Sequence, residues 1–409
     1  MESVAEPTRS FRTGRNMSGI MPIGVHGLIH QRTARDRPGV AARLAAGLGQ
    51  NAYTREEFIW SDIQPTSRSS FSWATTDAWV KDCANAGLHI FGTLLKPPTW
   101  AVAGSTQAQA WTQPPATDIA IADYAEYCGR VAARYGPGGT FWAENPSMGY
   151  LPVVEFEIWN EPYKFAGWKY PDGSQRPADT ELYGRIVTAA AAAIHATPGC
   201  KVFASVDTGT DNTGGLPSPQ PFLIPFLEQP GVLGAIDGLS VHPYAYGYVP
   251  ATYEPTGTPR AVSEVEWHKS WLYTSKLADC RAILAAHSKG SMPIWITEIG
   301  YPTHTVSAGT VLGSTQAKAE QQQAMRVEAV FQYLRRNYGL VQGLIFYTWQ
   351  TMPWQADVPG SPNYSDSNPE HFFGLVHNDG WGGYGDGTTC TAKPAWDTLV
   401  AQCVNGLPI

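Results

Sequence analysis

Apolar positions along the chain fall into short runs, separated by longer stretches in which they recur every three to four residues. Eight such pairs can be counted. The first run spans 20–29 and precedes a helical pattern near 39–48; the second, 51–59, precedes one near 75–86. The third, 88–95, is followed at a distance by a helix over 118–135, and the fourth, 152–159, by one over 180–196. The fifth, 201–206, precedes 222–228, and the sixth, 236–241, precedes 263–286. The seventh, 293–297, precedes 315–337, and the eighth, 343–349, precedes a closing helix over 394–404. Tyr124, Cys128, Val131 and Tyr135 share one face of the third helix. Val327, Val330, Phe331 and Leu334 do the same in the seventh, where Ser314 is placed to cap the N-terminus.

Alternation of this kind predicts parallel strands joined by crossover helices. Several runs are continuously apolar, as expected of strands covered on both faces. With no break in composition and no internal repeat, the pattern predicts an α/β fold, a (β/α)8 TIM barrel. One catalytic domain would cover 20–409, behind a flexible, polar arm over 1–19 that carries Arg9, Arg12 and Arg15. The long segments 97–117, 163–179, 207–219, 243–262, 299–313 and 350–392 all follow strands. Loops on that side of a barrel build its active site, and loops of this length in compact domains are usually functional.

The 409 residues are 43% hydrophobic and 15% charged, enough for a large core. A net charge of −7 provides no basic excess for a phosphate backbone, so nucleic acid is not an expected partner. No run reaches membrane-spanning length and no apolar leader opens the chain, which predicts a soluble protein with no membrane partner. Secretion with the signal removed is slightly favoured over the cytoplasm, and the oligomeric state is left open. The bias toward 15 Trp and 19 Tyr fits sugar stacking, although such rings also fill cores. None of the six cysteines forms a CxxC pair, which argues against a zinc knuckle or a dithiol motif. Cys83, Cys128 and Cys280 read as small buried hydrophobes, while Cys390 and Cys403 are near enough in sequence to be bridged. HExxH, EF-hand, GxGxxG and Walker patterns are missing, so neither a metal nor a cofactor is expected.

Two glutamates stand at equivalent places. Glu161 ends the fourth run in Trp159-Asn160-Glu161-Pro162, and Glu298 ends the seventh in Thr297-Glu298-Ile299-Gly300. A single glutamate at a strand end is usually solvated or capping. Two on strands four and seven, across one barrel mouth, match what glycosidic cleavage needs: an acid for the leaving oxygen and a carboxylate facing the anomeric carbon. Glu155 and Glu157 precede the strand end, and Glu157 reads as an interior partner for an Arg or His.

The segment Phe156–Pro162 resembles the Asn-Glu-Pro motif of the clan A glycoside hydrolases, and Ile294–Gly300 is similar to that clan's nucleophile strand. Further likenesses are Arg55 on the second strand, Ser240-Val241-His242-Pro243-Tyr244 on the sixth and Trp349 on the eighth. The tail pair Phe373–Val376 and Lys393–Trp396 adds to them. Within the clan, Arg55–Trp60 and Leu94–Trp100 most resemble family 39, with family 5 next. Many exo-acting members of family 39 carry an extra β-sandwich domain, for which the pattern here shows no strands.

The resemblance implies a retaining hydrolase acting by double displacement on an oligo- or polysaccharide, with Glu161 as acid/base and Glu298 as nucleophile. Their carboxyls would lie about 5–5.5 Å apart. Arg55 and Tyr244 would stabilise the Glu298 anion, Asn160 would bond the sugar 2-hydroxyl, and His242 would orient Glu161 or touch substrate. Trp349 would be the platform under the sugar at the cleaved bond, His26 and Trp100 further substrate contacts, and Trp168 an outer one. Rival functions are a catalytically inactive carbohydrate-binding protein on the same barrel and a component of a capsule or exopolysaccharide depolymerase.

Overall fold

In a computed structural model, a strand forms at each of the eight apolar runs, and the strands close in sequence order into one parallel barrel. The structure describes residues 19–103, 106–163, 168–174, 176–206, 208, 220–244, 273–303, 316–337, 339–351, 372–378 and 390–407. The strands are β1 (Ile23–Val25), β2 (Ala52–Ile59), β3 (His89–Leu95), β4 (Glu155–Ile158), β5 (Lys201–Val206), β6 (Gly238–Val241), β7 (Ile294–Ile299) and β8 (Gly343–Phe346). The helices that follow them are α1 (Arg37–Leu48), α2 (Ala74–Ala86), α3 (Asp118–Tyr135), α4 (Thr180–His195), α5 (Gln220–Leu227), α6 (Tyr273–Ala286), α7 (Gln316–Arg336) and α8 (Pro394–Asn405). The expected (β/α)8 architecture is therefore present.

The strands are shorter than most of the apolar runs, because apolar residues continue past the last ladder hydrogen bond. The first run yields three paired residues and then a 3-10 turn over Ile29–Gln31. The eighth leaves the ladder after Phe346. The seventh errs the other way: β7 runs to Ile299, so Glu298 lies inside the strand and not beyond its end. The N-terminal arm, the cap at Ser314 and the first turns expected for the sixth helix lie outside the described residues.

Strand alternation sorts each side chain into the barrel or out toward the helices. On β2, Phe58 points out and packs on Trp79, Tyr135 and Phe156. Tyr53 points in and joins Phe91, Phe203, Trp295 and Ile345 in a separate apolar floor. Glycine makes room for that floor. A Cβ on Gly343 would lie 2.2 Å from the Trp295 ring, and one on Gly238 would lie 2.3 Å from that of Phe203. Interiors packed at crystal density cannot absorb such overlaps.

Above the floor the lining turns polar, with Arg55, Thr93, Glu157, Ser205, Ser240 and Thr297 all buried. Tyrosines on the helices fasten the strand ends at this level. Tyr124 donates to the Leu94 carbonyl at 2.6 Å, Tyr127 donates to that of Phe58, and Tyr183 donates to that of Ile158 at 2.8 Å. The stripe Tyr124, Cys128, Val131, Tyr135 is fully buried against the barrel, as its spacing predicts. Thr117 and Asp179 cap α3 and α4 by accepting from Ala120 and Leu182 backbone N–H groups.

All six cysteines are free thiols. Cys83, Cys128 and Cys280 are buried on α2, α3 and α6. Cys390 is not bridged to Cys403; its sulfur instead accepts from the Gln350 side-chain amide at 3.0 Å. Among the described residues, no helix is long and apolar enough to cross a membrane.

Candidate active site

The chain after β4 turns sharply. Trp159 (φ 65°) and Glu161 (φ 47°) both take the left-handed conformation, which costs a side-chain-bearing residue on the order of 1–3 kcal/mol. The surroundings hold it there. Trp159 N–H donates to the Leu94 carbonyl at 3.0 Å, and its indole packs outward against Tyr124 and Trp168. Glu161 N–H donates to Ser205 Oγ at 3.1 Å, and its carboxylate Oε1 meets His242 Nδ1 at 3.0 Å.

Glu298 reaches the same place by another route. The β7–β8 register slips between Ile296 and Ile299, so two successive residues of β7 face the interior. Thr297 meets Ser240 on β6, and Glu298 meets Arg55 on β2. Arg55 Nη1 donates to Glu298 Oε1 at 2.7 Å, and the Tyr244 hydroxyl donates to Oε2 at 3.0 Å. His242 Nδ1 lies 3.7 Å from the same Oε2.

Arg55 is the hub. Its Nε and Nη2 donate to Glu157 Oε2 at 2.7 and 2.6 Å, and Nη2 also donates to Asn160 Oδ1 at 2.6 Å. Glu157 is fixed in turn by Thr93 Oγ1 at 2.7 Å and by Ser240 Oγ. Burial alone would lower the Arg55 pKa, but the charges of Glu157 and Glu298 outweigh it and hold the guanidinium ionised. The charge-assisted bond from this buried cation aims the Glu298 carboxylate. Asn160, anchored through its oxygen, keeps its NH2 for another acceptor.

Glu161, Glu298, Arg55, Asn160, His242 and Tyr244 thus converge, and Glu157 is the interior ion partner expected of it. Among the described residues, Glu161, His242 and Glu298 are the group that brings three metal-type ligand atoms together, within 4.8 Å of one another. These donors suit a divalent ion in number, but Arg55 beside Glu298 repels a cation.

Three tryptophans lie elsewhere than expected. Trp349 is fully buried, with its ring between Arg43 of α1 at 5.0 Å and Trp396 of α8 at 4.8 Å, outside the barrel wall. Because β8 ends at Phe346, strand alternation no longer governs position 349, and Trp349 presents no face to the mouth. Tyr347 does so instead: partly exposed, it packs against His26 at 5.6 Å and Phe373 at 5.8 Å. Trp168 is fully buried against Trp159 and Tyr183, and Trp100 wedges on Trp60 with its Nε1 donating to the Gln64 carbonyl at 2.8 Å. The contacts of both are with wall residues and not with the carboxylate cluster.

His26, inside the rim, has neither ring nitrogen hydrogen-bonded. Burial, reinforced by the Arg55 charge, lowers its pKa to about 3 and keeps it neutral. Its neighbour His30 behaves oppositely. Burial would lower the His30 pKa, but Glu56, 2.6 Å from Nδ1, and Glu57, 3.4 Å from Nε2, raise it to about 9. Sequence reading missed the cluster of His30, Glu56, Glu57 and Lys96. The signal was two adjacent acids on one predicted strand, which alternation must send to opposite faces, each in need of a cation.

A stability prediction follows from His30. Its folded pKa lies above its ordinary value of 6.5, so its contribution is complete below pH 6.5 and is lost as pH rises through about 9. The gap in unfolding free energy between the wild type and His30→Gln is expected to shrink by about 3 kcal/mol between about pH 6 and 10. Urea denaturation at several pH values reads this directly, and a gap independent of pH would contradict a protonated imidazole.

No known family model matches the sequence, and no curated protein is similar to it by sequence. Solved structures do match. A family 39 glycoside hydrolase from the gut symbiont Bacteroides cellulosilyticus WH2 superposes with a TM-score of 0.58 at 18% identity, over 94% of this chain and 64% of that one. A GH5_18 protein from Bifidobacterium longum subsp. infantis gives 0.58 at 14%, over 95% and 80%. A monomeric beta-xylosidase from Caulobacter crescentus CB15 gives 0.55 at 17%, over 93% and 67%. This chain therefore spans under two thirds of the Bacteroides enzyme, and at such identities the likeness is one of fold.

Proposed function

We propose that this protein is a retaining glycoside hydrolase of the family 39 kind, cleaving an oligo- or polysaccharide by double displacement. The carrying observation is one distance. A Glu161 oxygen and a Glu298 oxygen lie within 4.8 Å. That is close to the spacing of retaining enzymes, about 5–5.5 Å, and short of the roughly 6.5–9.5 Å that leaves room for an attacking water.

In the first step Glu298 attacks the anomeric carbon while Glu161 delivers its proton to the glycosidic oxygen. Arg55 Nη1 and the Tyr244 hydroxyl each donate to one Glu298 oxygen and aim it at that carbon, and both bonds weaken as the carboxylate charge is lost in the ester. His242 Nδ1, 3.0 Å from Glu161 Oε1, holds that carboxyl in position for the transfer. In the second step Glu161 takes a proton from water, which attacks the same carbon and expels Glu298. Asn160 is placed to bond the 2-hydroxyl, a contact that tightens as positive charge develops at the ring.

The names of the structural neighbours are in keeping with this chemistry: a family 39 hydrolase and a beta-xylosidase share the barrel. An inactive sugar-binding protein would have no use for a buried arginine braced by Glu157 against the carboxylate at the reaction centre. Trapping tests the proposal. Incubation with 2,4-dinitrophenyl 2-deoxy-2-fluoro β-glycosides of xylose, glucose, galactose and mannose is expected to add one glycosyl mass to the protein. Peptide mapping is expected to place it on Glu298. A substrate hydrolysed with inversion, or an adduct on another residue, would overturn the mechanism.

A further inference from the structure

We propose that Trp111 and the Glu57–Lys96 ion pair form a second sugar subsite beside the reaction centre, which takes a neutral glycosyl unit of the same chain. The location rests on the hydrolase reading, since Glu161, His242 and Glu298 stand on the β4, β6 and β7 side of the mouth. His26, Glu57 and Lys96 stand near the ends of β1, β2 and β3, on the other side of that mouth, where we place the next unit of a chain bound between the glutamates.

Three independent features point to a ligand there. His26 is 4% exposed, yet neither ring nitrogen has a partner. Buried polar groups are almost always satisfied, and a neutral imidazole offers one donor and one acceptor, which suits hydroxyl groups. Lys96 has a left-handed backbone (φ 60°) at the end of β3, held by its carbonyl accepting from Ser61 N–H at 3.0 Å. Strain of this kind, imposed on a residue whose ammonium is tied to Glu57, fixes that pair at the rim. The Glu57 carboxylate and the Lys96 ammonium then present an acceptor and a donor side by side, which matches two adjacent sugar hydroxyls.

Trp111 supplies the apolar partner. Its Nε1 donates to Ser61 Oγ at 2.9 Å, and the Lys96 ammonium lies 5.4 Å from its ring centroid. The residue is nevertheless 39% exposed, unusual for an indole locked on two sides. An exposed, immobilised ring next to convergent polar groups is the composition of a carbohydrate subsite. Glu57 balances Lys96 and His30 balances Glu56, so these pairs leave no excess positive charge to recruit a uronate.

Calorimetric titration tests this in a Glu298→Gln background, which keeps oligosaccharides uncut. The probes are β-1,4-linked xylotriose, cellotriose, mannotriose and galactotriose, with trigalacturonate as the anionic comparison. At least one neutral trisaccharide is expected to bind. Trp111→Ala and Lys96→Met are each expected to weaken it about tenfold, whereas Ile119→Ala, an exposed apolar change on α3, leaves it as it was. Unaltered affinity in both variants, binding reserved for trigalacturonate, or no neutral ligand at all would overturn the subsite. Trp111-dependent binding of a sugar that the wild type never cuts would sink the hydrolase reading and leave the subsite standing. Cleavage with affinity independent of Trp111 and Lys96 would do the reverse.

Discussion

Replacing Glu298 with alanine is expected to lower kcat by on the order of 10⁴-fold or more on any glycoside the wild type cleaves, with the barrel still folded. The loss is large because no other group takes over. His242 Nδ1 is engaged with Glu161, and Glu157 is occupied by Arg55, Thr93 and Ser240. Folding survives because Arg55 keeps its two bonds to Glu157. The cavity left by a shortened side chain also suggests a rescue. Azide admitted there is expected to restore turnover and yield a glycosyl azide of inverted configuration. Glu161→Ala is expected to differ in kind: substrates whose leaving group needs no proton keep their first step, and azide returns a product of retained configuration. Wild-type kcat in Glu298→Ala, or identical azide products from the two variants, would refute the assignment.

Arg55→Met is expected to destabilise the fold by about 3–5 kcal/mol as well as to abolish turnover. Glu157 has no exposed surface, and its carboxylate depends on Arg55 for both charge balance and two hydrogen bonds. Methionine fills much of the space but leaves that carboxylate uncompensated, and such a group either remains charged at high cost or takes up a proton. Adding Glu157→Gln to Arg55→Met is expected to recover a large part of the loss in urea denaturation at neutral pH, with no return of activity. Equal stability of the single and double variants would mean that the cost comes from packing and not from the unpaired charge.

These two residues show how far one-dimensional patterns reach. Glu157 was legible as an interior partner for an Arg or His, since a charge in a strand buried on both faces requires one, but that Arg55 bonds it and Glu298 together emerged only in three dimensions. Glu161 stood out because polar residues closing an apolar run belong to the mouth of a barrel. Trp349 was misplaced for the opposite reason. An apolar run does not reveal where its last ladder bond falls, and one residue beyond that point the inward and outward faces lose their meaning. Trp111 went unnoticed because a tryptophan in a polar loop has no periodicity to mark it, and only the bond to Ser61 and the nearby ammonium show that it is held in place.

The amino-acid order alone determined the alternation of eight strands and eight helices, their parallel closure and the two glutamates that follow the fourth and seventh apolar runs. Each of those depends on local spacing, which backbone geometry reads at periods of 2 and 3.6 residues. Tertiary structure decided the rest. The slip in register that turns Glu298 inward, the left-handed turn that aims Glu161, and the ring of partners around Arg55 are set by contacts between strands far apart in sequence. Their strain is held by those contacts and by no neighbour along the chain.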